Sequence, residues 1–115
     1  MKTDNVVREK SFNFALKIVD LYKYLHNEKK EFVLSKQILR SGTSIGANIE
    51  EAQAAQSRKD FLSKMAIASK EARETHYWLK LLKYGVYITK DDLLNDCEEL
   101  LKLLTSIVKT SGKNN

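Results

Sequence analysis

From Phe61 to Leu82, apolar or small residues return at alternating steps of four and three: Phe61, Met65, Ala68, Ala72, Thr75, Leu79 and Leu82. A seven-residue repeat of this kind holds one seam of a helix against its neighbours, so it predicts a helix over about 58–84 in a left-handed bundle. Trp78 and Leu81 widen the seam near its end. Ser57 followed by Asp60 resembles a capping box, and Gly85 suits the C′ position beyond the last turn. Phe14, Ile18, Leu21 and Leu25, with Phe12, Ala15, Val19 and Tyr22 beside them, predict a helix over about 6–25. Leu34, Ile38, Ile45, Ile49 and Ala52 predict one over about 32–56. Leu93, Cys97, Leu100, Leu104 and Ile107 predict the last, over about 90–109, started by Thr89 with Asp91 and Asp92 near its N-terminus. Val86 to Ile88 read as an apolar connector folded back on the bundle, and Ser111–Asn115 as a frayed tail. Four helices joined by short links form an all-α, antiparallel up-down-up-down four-helix bundle, one domain over residues 1–115.

The second helix carries an anomaly. Gly42 and Gly46 sit among Ser41, Thr43 and Ser44, all weak helix formers. Each glycine costs about 1 kcal/mol relative to alanine in a helix interior. Such residues fit where a backbone is pressed against another helix and side-chain bulk would keep the two apart. The seam of small residues, with charges matched across it, is expected between the second and third helices.

Composition supports long helices. The 115 residues include no proline and four glycines, too few for a turn-rich β fold. No apolar run approaches a membrane span, no signal peptide is read, and the single cysteine, Cys97, has no internal partner. A cytoplasmic, reducing setting is expected. The net charge of +5 is uneven: residues 58–85 hold seven of the 20 Lys/Arg and only three of the 15 acids. This bias permits a nucleic-acid or acidic partner without requiring one.

The runs Gln37–Ala52, Asp60–Phe61 and Ala68–Leu79 resemble a bacterial four-helix-bundle family. Its name-giving members are encoded in intervening sequences of 23S ribosomal RNA genes. The accessory variability determinant of diversity-generating retroelements is similar to it. The specific part is Arg40-Ser-x-x-Ser-Ile-x-Ala-Asn-Ile49 together with Glu74-Thr-x-Tyr-Trp-Leu79; the first and fourth helices match in period and length only. The resemblance implies an antiparallel bundle assembled as a homo-oligomer, commonly a pentamer, with no enzyme activity. Within the family, binding to nucleic acid and to a reverse transcriptase belongs to the retroelement branch.

Two polar constellations stand out. In an antiparallel hairpin turning near Ser57, Arg40 falls opposite Glu74, and Glu51 opposite Lys64. Arg40, Ser44 and Asn48 are therefore expected to form a structural polar layer with Glu71 or Glu74, because the planar guanidinium pairs with carboxylates through two bonds. The competing view is unrelated surface pairs worth about 0–1 kcal/mol each. On the outer face of the third helix, Lys59, Ser63, Ala66, Lys70, Arg73, Tyr77, Lys80 and Tyr84 share one sector. Lys59, Lys70, Arg73, Tyr77 and Lys80 are the candidate nucleic-acid contacts, since cations meet phosphates and tyrosines stack on bases. The bland alternative is a solvated face.

The fourth helix adds Leu94, Leu101, Leu103 and Val108, an apolar arc expected to extend into a homo-oligomer interface. The catalytic inventory is poor. His26 and His76 lack metal-ligand spacing, Cys97 lies on an apolar row, and Gly42-x-x-x-Gly46 has no flanking strand. No metal or cofactor is expected. The sequence reads as a non-enzymatic, oligomeric interaction module that binds RNA or DNA, or alternatively as a protein-binding scaffold.

Overall fold

The computed structural model describes residues 2–113, with side chains described over residues 5–110. Its elements are α1 (Lys2–Asn27), α2 (Leu34–Gln53), α3 (Arg58–Tyr84) and α4 (Asp92–Lys113). Each helix packs on the next, and α1 closes against α4, which gives an antiparallel four-helix bundle. The bundle measures 47 × 21 × 20 Å. The connectors 28–33 and 85–91 share one end; the turn 54–57 lies at the other.

The core is drawn from one row on each helix. Phe14, Ile18, Ile45, Ile49, Met65, Leu79, Leu100 and Leu104 are almost wholly buried. Charge pairs then lace the seams: Arg8 to Glu50 at 3.1 Å between α1 and α2, Lys64 to Glu51 at 3.6 Å between α2 and α3, and Lys17 to Asp96 at 2.7 Å between α1 and α4.

The glycines of α2 face α1, not α3. A Cβ on Gly42 would meet Ile18 of α1, and one on Gly46 would meet Ser11. Against α3, the close approach is made instead by Ser41. Its hydroxyl lies 2.9 Å from that of Thr75, and both residues are wholly buried. Thr75 Oγ1 is also 2.7 Å from the Glu71 carbonyl. With one proton per hydroxyl, Thr75 donates to that carbonyl and accepts from Ser41, which satisfies both groups without water.

Helix ends differ from the expected ones for local reasons. α2 stops at Gln53, although Ala54 and Ala55 favour helix. Their N–H groups bond three residues back, to Glu51 and Ala52, and tighten the chain so that it reverses before Ser57. Ser57 then caps α3 by accepting the Asp60 N–H at 3.0 Å. α2 begins at Leu34 because Glu31 reaches back over its first turn. The Glu31 carboxylate accepts the N–H groups of Val33, Leu34 and Ser35 at 3.2, 3.0 and 2.7 Å. α4 continues through Lys113, taking in part of the expected tail; residues 114 and 115 lie outside the described residues.

Gly85 is not the left-handed residue at the end of α3. It has φ −81°, and Val86 takes φ 66°. The Tyr87 N–H bonds to the Leu82 carbonyl and the Val86 N–H to that of Lys83. This is a Schellman ending shifted by one residue, with a β-branched side chain where glycine is usual.

The apolar arc of α4 is taken up inside the bundle. Leu94, Leu101, Leu103 and Val108 pack partly buried against the core, as do Tyr87 and Ile88. Exposed apolar side chains lie at the connector end, among them Val33, Tyr84 and Val86, and on α1. Phe12 is 64% exposed and Leu16, one turn on, 52%.

Candidate nucleic-acid interface

The sector of α3 read as basic lies wholly outside the core. Lys59, Ser63, Ala66, Lys70, Arg73, Tyr77, Lys80 and Tyr84 are all exposed. The burial of Met65, Ala68, Ala72, Thr75, Leu79 and Leu82 fixes this arrangement, because it turns the opposite side of the helix to solvent. From Lys59 to Tyr84 the stripe runs about 38 Å at the helical rise of about 1.5 Å per residue. Among the described residues, no carboxylate stands within ion-pair distance of Lys59, Lys70, Arg73 or Lys80. Tyr77 is 57% exposed and stands edge-on to Trp78, with ring centres 5.3 Å apart.

The stripe is not uniform along its length. Towards the connectors, Lys80, Lys83 and Tyr84 share a groove with Asp91 of the connector and Glu98 of α4. Lys83 is paired with Asp91 there, and His76 Nε2 lies 4.0 Å from Glu98. Towards the 54–57 turn, Arg73 shares a different groove with Leu101, Lys102, Thr105, Ser106 and Lys109, with no acid in its lining among the described residues. Lys102 and Lys109 were not singled out from sequence. The acids of this stretch fall at 91–99 and these lysines at 102 and 109, so a charge count over 86–115 averages the two halves away.

The polar cluster between α2 and α3 is built around Arg40. Its guanidinium donates to Glu71 at 3.1 Å and also to Glu74. Glu74 further accepts the Trp78 indole N–H at 2.9 Å. That bond first, and the Arg40 guanidinium after it, hold the Glu74 carboxyl below its ordinary range despite partial desolvation. Ser44 and Asn48 do not reach the carboxylates. The Ser44 hydroxyl donates to the Arg40 carbonyl at 2.6 Å, and the Asn48 amide to the Ser44 carbonyl at 2.9 Å, both within α2. A side chain that can close on its own helix four residues back does so before reaching a neighbour. Trp78, Ser41 and Thr75 take the places across the seam.

Among the described residues, no group of His, Cys, Asp and Glu is placed to hold a metal ion, and no helix is long and apolar enough to cross a membrane. Cys97 is buried, its Sγ 3.3 Å from the Ala72 carbonyl. Burial first, then the charges of Glu98 and Asp96, push its pKa up to about 12, which leaves it a thiol at neutral pH. His26 is packed among Tyr22 and Phe32.

The model of the 23S rRNA-intervening sequence protein family matches residues 3–106. A crystal structure of a protein of unknown function from the S23 ribosomal protein family of Bacteroides thetaiotaomicron is 62% identical to the chain. It superposes with a TM-score of 0.91, over 93% of this chain and 98% of that one. No curated protein matches the chain. With the family model covering nearly the full length and a solved relative sharing both fold and most residues, the chain belongs to the 23S rRNA-intervening sequence protein family.

Proposed function

We propose that the protein is a non-enzymatic, oligomeric interaction module that binds the sugar–phosphate backbone of RNA or DNA along α3. One observation carries this reading: the candidate cations Lys59, Lys70, Arg73 and Lys80 lie on one exposed face with no carboxylate within ion-pair distance among the described residues, Lys70 acting on Glu74 only through its longer-range charge. Arg8, Lys17 and Arg40, by contrast, are matched to acids across the helix seams. Tyr77 and Tyr84 lie on the same line and offer ring faces to bases. Assembly of several subunits would repeat the stripe and raise the overall affinity through effective concentration.

The test is fluorescence polarisation with labelled RNA and DNA oligonucleotides over a salt series. Affinity is expected to fall steeply as salt rises. The double variant K70E/R73E should lose binding while keeping its melting temperature. No binding by the wild type at low salt ends the reading.

A second reading, a protein-binding scaffold without nucleic acid, draws on Phe12 and Leu16. Two large apolar side chains one turn apart on an outer face are what a protein interface uses. The same pair serves self-association in the first reading. Light scattering at micromolar concentration, comparing wild type with F12E/L16E, measures that directly. A wild-type monomer would remove the oligomer from either reading.

A further inference from the structure

We propose that the groove between the middle of α3 and the C-terminal half of α4 is a binding site for a single strand of RNA or DNA. Arg73 stands on one wall and Lys102 and Lys109 on the other. The inference rests on the reading above and adds to it a second helix, a path and a strand preference.

Three observations lead there. Among the described residues this groove is lined by three cations and no acid, whereas the neighbouring groove towards the connectors contains Asp91 and Glu98. Of the two grooves along the α3–α4 seam, this one therefore favours a polyanion more than the other. The remaining lining is Leu101, Thr105 and Ser106. Two hydroxyls can donate to phosphate or sugar oxygens, and one apolar side chain suits the face of a ribose. Tyr77 lies one turn beyond Arg73 on the same face, exposed and held against Trp78. Tyr77 borders the groove rather than lining it, so a strand crossing from the groove onto the outer face of α3 passes its ring.

These features select a single strand over a duplex. The surface trough presents Arg73 on one side and Lys102 and Lys109 on the other, so one backbone lying along it meets cations on both sides. A duplex keeps its bases stacked inside and could use neither the trough floor nor the Tyr77 ring. It would rest on the crest of α3, at Lys59 and Lys70. Lys102 and Lys109 are seven residues apart, about 10 Å along α4, so they span more than one nucleotide step of the same strand.

The experiment uses the full chain and polarisation at about 50 mM salt, where phosphate contacts are strong. Probes are labelled single-stranded RNA, single-stranded DNA and a duplex of the same sequence, with labelled polyglutamate as a charge control. Wild type is expected to bind at least one single strand about tenfold or more tighter than duplex or polyglutamate. K102E/K109E should lose about tenfold or more in single-strand affinity and flatten the salt dependence by about 1.4 in log–log slope, at about 0.7 per phosphate. K102Q/K109Q should show a smaller loss in the same direction, which covers the case in which the glutamates perturb folding. Y77A should weaken single-strand binding and leave duplex binding alone. Equal binding of duplex, or K102E/K109E at wild-type affinity while K70E/R73E is impaired, overturns the groove and leaves the helix-three reading standing. Loss of all binding in the wild type overturns both.

Discussion

A Cβ added to Gly42 of α2 would lie 2.8 Å from Cγ1 and 2.9 Å from Cγ2 of Ile18 on α1. Both carbons are attached directly to the Ile18 Cβ, and Ile18 is wholly buried, so neither can swing away. Gly46, one turn on, differs: its Cβ would meet Ser11 no closer than 3.5 Å. Gly42→Ala should therefore lower stability by about 1–2 kcal/mol, overpacking outweighing the gain in helix propensity. Gly46→Ala should raise it by about 0.5–1 kcal/mol, because it gains propensity without a clash. Denaturation midpoints of the two variants decide this, and a shift of the same sign in both would refute the assignment of Gly42 to the close approach.

Arg40 bridges two carboxylates from a half-exposed position, with its side chain 50% accessible. Each exposed pair is worth about 0–1 kcal/mol, so Arg40→Ala should cost about 1 kcal/mol, and less at high salt. Arg40→Lys should recover little, since an ammonium lacks the planar fork that meets two acceptors at once. Melting temperatures at two ionic strengths check both points. An Arg40→Ala variant unchanged in melting temperature and in assembly would show that the cluster is incidental.

Val86 adopts a conformation that a β-branched residue reaches only with strain, and its side chain is 74% exposed. Little burial is lost on removing that side chain. Val86→Gly should thus stabilise the protein by about 1 kcal/mol, the left-handed penalty for a residue bearing a Cβ. Gly85→Ala should destabilise, because its Cβ would sit 2.8 Å from the Leu81 carbonyl oxygen. Thermal unfolding of the two neighbours is expected to shift in opposite directions.

The Glu31 carboxylate makes stability depend on pH. Desolvation raises its pKa, but the N–H groups of Leu34, Ser35 and Val33 together bring it below the ordinary 4.5. A carboxyl with a lowered folded pKa contributes its full stabilisation above the unfolded value and loses it as pH falls through the folded one. Glu31→Gln should cost about 1 kcal/mol at neutral pH, as loss of a helix cap does. The gap to wild type should close as pH drops under 4.5. Urea titrations across that range measure it; a gap independent of pH would rule out the charged cap.

What could be read in advance followed from period and from register. The seven-residue repeat of α3 gave its limits, Arg58–Tyr84, because a sustained seam and a Ser57 cap are both local signals. Arg40 stands opposite Glu74 and Lys64 opposite Glu51 because a tight antiparallel turn leaves little freedom in level. Which neighbour each face met was less accessible. The glycines of α2 were assigned to the wrong seam, since spacing gives a face but not the helix that covers it. Ser44 and Asn48 spend their polar groups on α2 itself, an option open to any such side chain four residues from a free carbonyl lone pair.

The sequence by itself determined four amphipathic helices, their order, and the side of α3 that stays in water, because these follow from where apolar residues recur along a chain with fixed rise and turn. Only the tertiary structure decided that α1 fills the glycine face of α2, that Val86 takes the strained position, and that Lys102 and Lys109 join Arg73 around one groove. Those outcomes depend on the rotation of each helix about its axis once all four pack together, and that rotation is set by the whole core at once.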